Sequence, residues 1–171
     1  ELNARIKELE IKVIRTQMNP HFISNCLAAI QNLIFSGQVD KAGEYIAKFS
    51  LFLRQVLDYS DKTYVSLEEE LTIIKLNIEL EQLRFKNEFD FNLEIENDIS
   101  VHEVLIPSLI TLSFIVNAIW HGLLPLKQRL PKLTVRIYKQ NDKIFLIIED
   151  NGVGRNETNS IATKKSRGTK L

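Results

Sequence analysis

Hydrophobic residues recur every three or four positions through the first half of this chain and at every second position in several later stretches. That change of period calls for helices first and a mixture of helices and strands afterwards. Leu2, Ile6, Leu9 and Val13 are spaced 4, 3 and 4 with charged residues between them, the rhythm of a coiled-coil seam that enters from something upstream. The helical pattern continues through Phe22, Leu27, Ile30, Leu33 and Ile34 to a stop at Gly37, and Pro20 predicts a kink next to His21. A second helix, from Val39 to Tyr59, carries Ile46, Phe49, Leu53, Val56 and Leu57 on one side. Joined by a short turn around Ser36 to Asp40, the two helices form a hairpin with an uncovered apolar face. Pairing two copies into a four-helix bundle would cover it.

After a polar connection from Asp61 to Tyr64, Ser66 and Glu69 form a capping box that opens a third helix through Ile73, Leu76, Leu80 and Leu83 to Phe85. Phe89, Phe91, Leu93 and Ile95 alternate with polar residues and predict a half-buried strand. A helix is expected from about Pro107, suited to a first turn, to Leu123. Leu133, Val135 and Ile137 alternate again, and the apolar run Ile144 to Ile148 predicts a neighbouring strand joined through Gln140 to Lys143. The expected class is α+β, a helical hairpin followed by helices on one face of a mixed or antiparallel sheet.

At 171 residues and 44% hydrophobic the chain can bury a core, and 22 basic residues against 22 acidic ones leave no global field to attract nucleic acid or an anionic membrane surface. The single cysteine, Cys26, cannot form an internal disulfide and reads as a small buried hydrophobe. The longest apolar stretch, Leu105 to Trp120, is broken by Pro107, Ser108, Thr111, Ser113 and Asn117, so no segment reads as a membrane span. The start at Glu1 and the stop at Leu171 in a basic, glycine-containing stretch read as the ends of an excised piece.

Three places could carry chemistry. In Asn19-Pro20-His21-Phe22 the imidazole of His21 lies one turn from Asn25 on a helical face. A neutral imidazole nitrogen is a competent nucleophile near neutral pH, and a capping or partly buried histidine is the plainer alternative. Asn117 and His121 are again four apart, an amide oxygen able to ligate Mg2+ beside an imidazole able to meet a phosphate; a solvated helix face is the alternative. Ile147-Ile148-Glu149-Asp150-Asn151-Gly152-Val153-Gly154 is a strand ending in an acid and a two-glycine turn. Its carboxylate could accept a hydrogen bond from an exocyclic amine, although an ordinary turn has the same spelling. Gly168 would make a second glycine turn.

Taken in order, these pieces resemble the sensor histidine kinases of the LytS/YehU-like branch, whose phosphoacceptor box reads Pro-His-Phe followed by a nearby Asn. The resemblance begins near Gln17 and runs through Gln17-Met18-Asn19-Pro20-His21-Phe22 with Asn25, Ser66-Leu67-Glu68-Glu69-Glu70-Leu71 and Glu81-Gln82-Leu83-Arg84-Phe85. It continues through Ile106-Pro107, Asn117-Ala118 with His121-Gly122, and Asp150-Asn151-Gly152-Val153-Gly154. It implies a dimerisation and histidine phosphotransfer hairpin in residues 1–61, and in residues 62–171 an α/β sandwich ATP-binding domain of the GyrB/Hsp90/histidine kinase/MutL type, incomplete at its C-terminus. His21 would be the phosphoacceptor with Asn25 beside it, Asn117 would hold Mg2+, and His121 would lie near the phosphates. Asp150 would meet the adenine amine, and Gly152, Gly154 and Gly168 would shape the nucleotide loops. The implied reaction passes the γ-phosphoryl group of ATP to His21 and then to an aspartate of a response regulator. The implied partners are a second copy, a response regulator receiver domain, and an upstream sensor that anchors this cytoplasmic part to the inner membrane. Direct nucleic-acid binding is not implied.

The chain departs from the pattern at Val116, where the family usually has Glu, and at Leu112, where a Gln is common. Leu109, Leu112, Val116, Ile119 and Leu123 form an apolar 3-4-3-4 stripe instead. Loss of a positioned acid–base group weakens catalysis by about 10^2 to 10^4-fold, so a kinase-like dimeric scaffold without turnover is the second reading. An ATPase or chaperone of the wider superfamily is the third, and it has no use for the His21 hairpin.

Overall fold

The computed structural model describes residues 20–85, 89–123 and 130–152, with Pro20 and His21 described by their backbone alone. The seam expected at Leu2 to Val13 and the kink expected beside His21 lie outside the described residues.

Helix α1, Pro20–Phe35, starts on a proline, whose fixed φ and missing N–H suit a first turn. It stops where Gly37 adopts φ 75°, with the Gly37 and Gln38 N–H groups donating to the carbonyls of Ile34 and Leu33. Helix α2, Val39–Ser60, runs back and buries Ala42, Tyr45, Phe49, Phe52 and Val56, a 3-4-3-4 stripe. The inward side is rotated from the expected one. Ile46 and Leu57 are exposed, because the aromatic side chains of Tyr45 and Phe52 bury the larger apolar area. Phe22 of α1 packs its ring 5.3 Å from that of Phe52 and 6.5 Å from that of Phe49.

Strand β1, Tyr64–Ser66, leads directly into helix α3, Leu67–Arg84. The capping box forms as expected: the Glu69 N–H donates to Ser66 Oγ at 3.1 Å and the Ser66 N–H to Glu69 Oε2 at 2.8 Å. These contacts and Lys62 hold the Glu69 carboxyl below the ordinary range. Strand β2, Asp90–Ile95, follows. Strand β3, Leu105–Pro107, pairs antiparallel with β1. Pro107 therefore ends a strand rather than opening a helix. Leu109 at φ 61° breaks the chain direction, and helix α4 begins only at Ile110, ending at Asn117. The expected single helix to Leu123 changes winding there, and Ala118–Leu123 is a π-helical turn, a wider coil common at functional sites.

Strand β4, Lys132–Gln140, pairs in parallel with β2 and antiparallel with β5, Lys143–Asp150, giving a mixed sheet in the order β2-β4-β5. The β4–β5 turn is Asn141-Asp142, both at positive φ (49° and 57°), the backbone that a two-residue hairpin requires.

By packing, the chain divides into two compact units, Glu1–Lys86 with Val101–Ser113, and Asn87–Ser100 with Phe114–Leu171. The first joins α3 to the hairpin, around Phe22, Tyr45, Phe52, Leu67, Ile73, Ile74 and Leu80. In the second, Ile115, Ile119 and Leu123 are buried, as are Leu133, Val135 and Ile137 of the sheet. The class is the expected α+β. Among the described residues no helix is long and apolar enough to cross a membrane.

Candidate functional site

Four of the candidate residues, Asn117, His121, Asp150 and Gly152, lie in the second unit, at the end of α4, on the π turn and at the end of β5. Asp150 is the last residue of β5 and is exposed. Its Oδ1 accepts the Gly152 N–H at 2.9 Å, so the carboxylate shapes its own following turn. The neighbouring Asn151 is a clamp: its Oδ1 accepts the Lys132 N–H at 2.7 Å and its Nδ2 donates to the Leu130 carbonyl at 2.9 Å. It ties the start of β4 to the end of β5.

Against this turn lies the π turn, at a separation only glycine permits. A Cβ on Gly152 would stand 2.3 Å from the carbonyl carbon and oxygen of Gly122, and a Cβ on Gly122 would stand 2.6 Å from Asp150 Oδ1. Here the absence of a side chain is a packing requirement, since neither glycine has positive φ. Asp150 and Gly152 are thereby brought together with the His121-Gly122 pair, 28 to 31 residues away in sequence. His121 and Asn117 are both exposed, Asn117 closing the α segment and His121 lying in the π segment. Gly154 and Gly168 lie outside the described residues.

Asn117 is the candidate oxygen donor for Mg2+. A hard amide oxygen fits an ion that keeps waters and takes most of its other ligands from phosphates. Among the described residues no group of three or more His, Cys, Asp or Glu could hold a metal by itself.

His21 and Asn25 belong to the first unit. His21 stands in the first turn of α1, and Asn25, half-buried, lies one turn on. Phe22, immediately after His21, is buried, as is Cys26. Burial pushes the Cys26 thiol up to about 11, and also raises Tyr45, its hydrogen-bond partner.

Two residues were not legible as site or scaffold residues. Gly122 stands inside a quoted motif, but its need to be glycine appears only once β5 is packed against it. Glu70 is fully buried, and its carboxylate accepts the N–H groups of Leu109 and Thr111 at 2.8 Å each and of Leu112 at 3.4 Å. It caps α4 from some forty residues away, where no acidic residue stands in the helix's own first turn. Burial raises its carboxyl above the ordinary range, and the backbone N–H groups offset part of that rise.

Against known proteins, the histidine kinase family matches residues 9–89. Sensor protein LytS of Bacillus cereus is 27% identical over 179 residues, covering the whole of this chain and 30% of that protein. LytS of Bacillus subtilis is 29% identical over 155 residues, 90% of this chain and 26% of the relative. A Staphylococcus aureus protein described as sensor histidine kinase/phosphatase LytS is 30% identical over 150 residues, 87% of this chain and 25% of the relative. The chain thus spans less than a third of the length of each.

Proposed function

The chain belongs to the LytS-like sensor histidine kinases, and on that premise we propose that it is the kinase core of a two-component sensor, in which His21 accepts the γ-phosphoryl group of ATP. The observation that carries the nucleotide half of this reading is the convergence of Asp150, Gly152 and Gly122. It presents a carboxylate beside closely approached backbone, the chemistry that recognises an exocyclic amine. In this reading residues 1–61 serve dimerisation and phosphotransfer, and residues 62–171 serve nucleotide binding as an α/β sandwich. Asp150 meets the adenine amine, Gly152, Gly154 and Gly168 shape the nucleotide loops, Asn117 holds Mg2+, and His121 lies near the phosphates. Mg2+, when bound, neutralises phosphate charge. The neutral imidazole of His21 offers its nitrogen lone pair to the γ-phosphorus while the bond to the β,γ-bridging oxygen breaks, and ADP leaves with that electron pair. Asn25, one turn along the same helix, is placed to orient the ring. The phosphoryl group then passes to an aspartate of a response regulator.

The exposed apolar residues of the hairpin support pairing with a second copy. Leu27, Ile34, Phe35, Val39, Ile46 and Leu57 all lie open to solvent on α1 and α2 or at their turn, Phe35 at 79% exposure. We place the core on the cytoplasmic side of a membrane-anchored sensor.

The full-length protein incubated with Mg-ATP should acquire acid-labile, base-stable phosphate on His21, and His21→Gln should abolish it. A label that persists in His21→Gln refutes the assignment. One observation favours the second reading, a dimeric scaffold without turnover: Val116 is half-buried and apolar where the resemblance expects a glutamate. On that reading the wild type dimerises without labelling, and Val116→Glu restores the label.

A further inference from the structure

Helix α4 is short and starts in an unusual way. Its eight residues, Ile110–Asn117, make two turns about 12 Å long, and a helix of that length does not hold its own start and direction in water. The usual device is a serine, threonine, aspartate or asparagine cap just before the first turn. Leu109 stands there instead, left-handed at φ 61° and 6% exposed. A leucine in that region is strained, and such a residue persists only where its surroundings over-determine it.

Those surroundings are hydrogen bonds to three separate places in the chain. The Ser108 N–H donates to the Thr63 carbonyl at 3.2 Å, and Ser108 Oγ to the Tyr59 carbonyl at 2.7 Å. Glu70 takes the rest: its Oε2 accepts the Leu109 N–H, and its Oε1 accepts those of Thr111 and Leu112. The Thr111 hydroxyl bonds the same carboxylate. Ser108, Thr111 and Glu70 are all buried. For stability alone this is a costly arrangement, because a local cap would start the helix without taking a carboxylate out of water. What the remote carboxylate adds is geometry. Two oxygens gather three N–H groups of the first turn and so fix the axis of α4 as well as its first residue. Asn117 is the last residue of that axis, and over about 12 Å a tilt of about 5° at the start moves the far end by about 1 Å.

We infer that Glu70 is a positioning residue of the nucleotide site, holding the strained turn at Leu109 so that the Asn117 side-chain oxygen stands where Mg2+ requires it. The inference rests on the proposed kinase reading, in which Asn117 holds Mg2+. Glu70 is fully buried and acts only through the axis of α4. Groups that orient a metal ligand from behind act on affinity through the ligand's geometry, since a misdirected oxygen loses the ion while the rest of the site is intact.

Glu70→Gln keeps the side-chain volume but puts a donor where one acceptor oxygen stood, so the N–H of Leu109 or of Thr111 loses its acceptor. Two measurements on the full-length protein read the result. One is the ratio of ATP affinity in Mg2+ to ATP affinity in EDTA, from calorimetric titration; the other is amide hydrogen exchange at Thr111 and Leu112. Glu70→Gln should speed the exchange and cut the Mg2+ advantage by about tenfold, the lower end of the loss usual for removing a group that orients a metal ligand, with affinity in EDTA nearly kept. Ala42→Gly, a buried position of α2 outside the clamp, is the control for a merely structural change: it should lower the unfolding midpoint and leave the ratio alone. Should Glu70→Gln fail to fold, Glu70→Asp, which keeps the charge but draws both oxygens back by one methylene, replaces it with the same expected direction. Unchanged exchange overturns the clamp, and faster exchange with an unchanged ratio overturns the positioning role. Asn117→Ala separates these failures from failure of the kinase reading. A wild type without a Mg2+ advantage, or with one that survives Asn117→Ala, refutes the assignment of Asn117 and the role of Glu70 with it, whereas an advantage lost in Asn117→Ala but kept in the Glu70 variant refutes the positioning role alone.

Discussion

Substituting Gly152 tests whether the approach of β5 to the π turn is what builds the proposed nucleotide site. In Gly152→Ala the new Cβ would stand 2.3 Å from two backbone atoms of Gly122, where ordinary contact begins at 3.4 Å. Neither neighbour is a flexible side chain, so the strand end and the π turn must part by roughly 1 Å. Overpacking of that kind costs about 1–3 kcal/mol, which lowers the unfolding midpoint by several degrees in a chain of this size. If Asp150 and the glycine turn hold adenine, the same displacement moves a recognition carboxylate by about 1 Å, enough for roughly a 100-fold loss of function. Thermal unfolding and calorimetric titration with ATP in the presence of Mg2+ measure the two effects on one sample. Gly43→Ala is the control: a Cβ there meets nothing within 4 Å on helix α2, so it should stabilise by about 0.5–1 kcal/mol and leave nucleotide affinity alone. Wild-type stability in Gly152→Ala refutes the packing argument. Wild-type ATP affinity in a destabilised Gly152→Ala refutes the assignment of the site.

Glu70→Ala should lower stability by about 2–4 kcal/mol, because the buried N–H groups of Leu109 and Thr111 lose their acceptor; chemical denaturation measures it. The raised carboxyl of Glu70 gives stability a pH dependence of definite sign. As pH climbs from the ordinary carboxyl value toward the folded one, the unfolded chain has released its proton while the folded chain retains it, so stability falls and then levels off. The difference between wild type and Glu70→Gln across acidic pH isolates that slope, and parallel curves contradict it. Ser66→Ala removes the capping box at the head of α3 and should cost about 1 kcal/mol in the same assay. Asp142→Gly places the residue that best tolerates positive φ in the β4–β5 turn and should raise the unfolding midpoint slightly.

Elements whose signal is local were legible in the chain itself. Ser66 and Glu69 announce α3 with two reciprocal hydrogen bonds, Gly37 ends α1, and the alternations at Phe91 to Ile95 and Leu133 to Ile137 become strands. What escaped depends on distant partners. Three residues are too few for periodicity to mark β1 or β3, which exist because Val65 and Ile106 pair across some forty positions. Pro107 looks like a helix start until Leu109 turns left-handed and Glu70 supplies the cap. The inward side of α2 was misread because Ile46 and Leu57 match the spacing as well as Tyr45 and Phe52 do, and only packing against Phe22 decides between them. Asp150 and Gly152 were legible as a motif, but their fit to Gly122 was not, since close approach between distant segments leaves no periodic trace.

The interleaving of the two compact units has a consequence for the order in which the protein is made. Leu67–Arg84 leaves the ribosome well before Leu105–Pro107 and the N–H groups of Leu109 to Leu112, so β1 has no partner and the Glu70 carboxylate has no donors until synthesis reaches Ser113. By then Asp90–Ile95 has also emerged, as an unpaired strand whose parallel neighbour Lys132–Gln140 is still to come. The first unit can therefore be completed at Ser113 while the second still waits for Lys132–Gln140, and the nascent chain carries an open strand edge through the synthesis of some forty further residues. Folding during translation is expected to depend on protection of that edge, and a cut after residue 86 would take Val101–Ser113 from the first unit and leave it on the piece that holds the second.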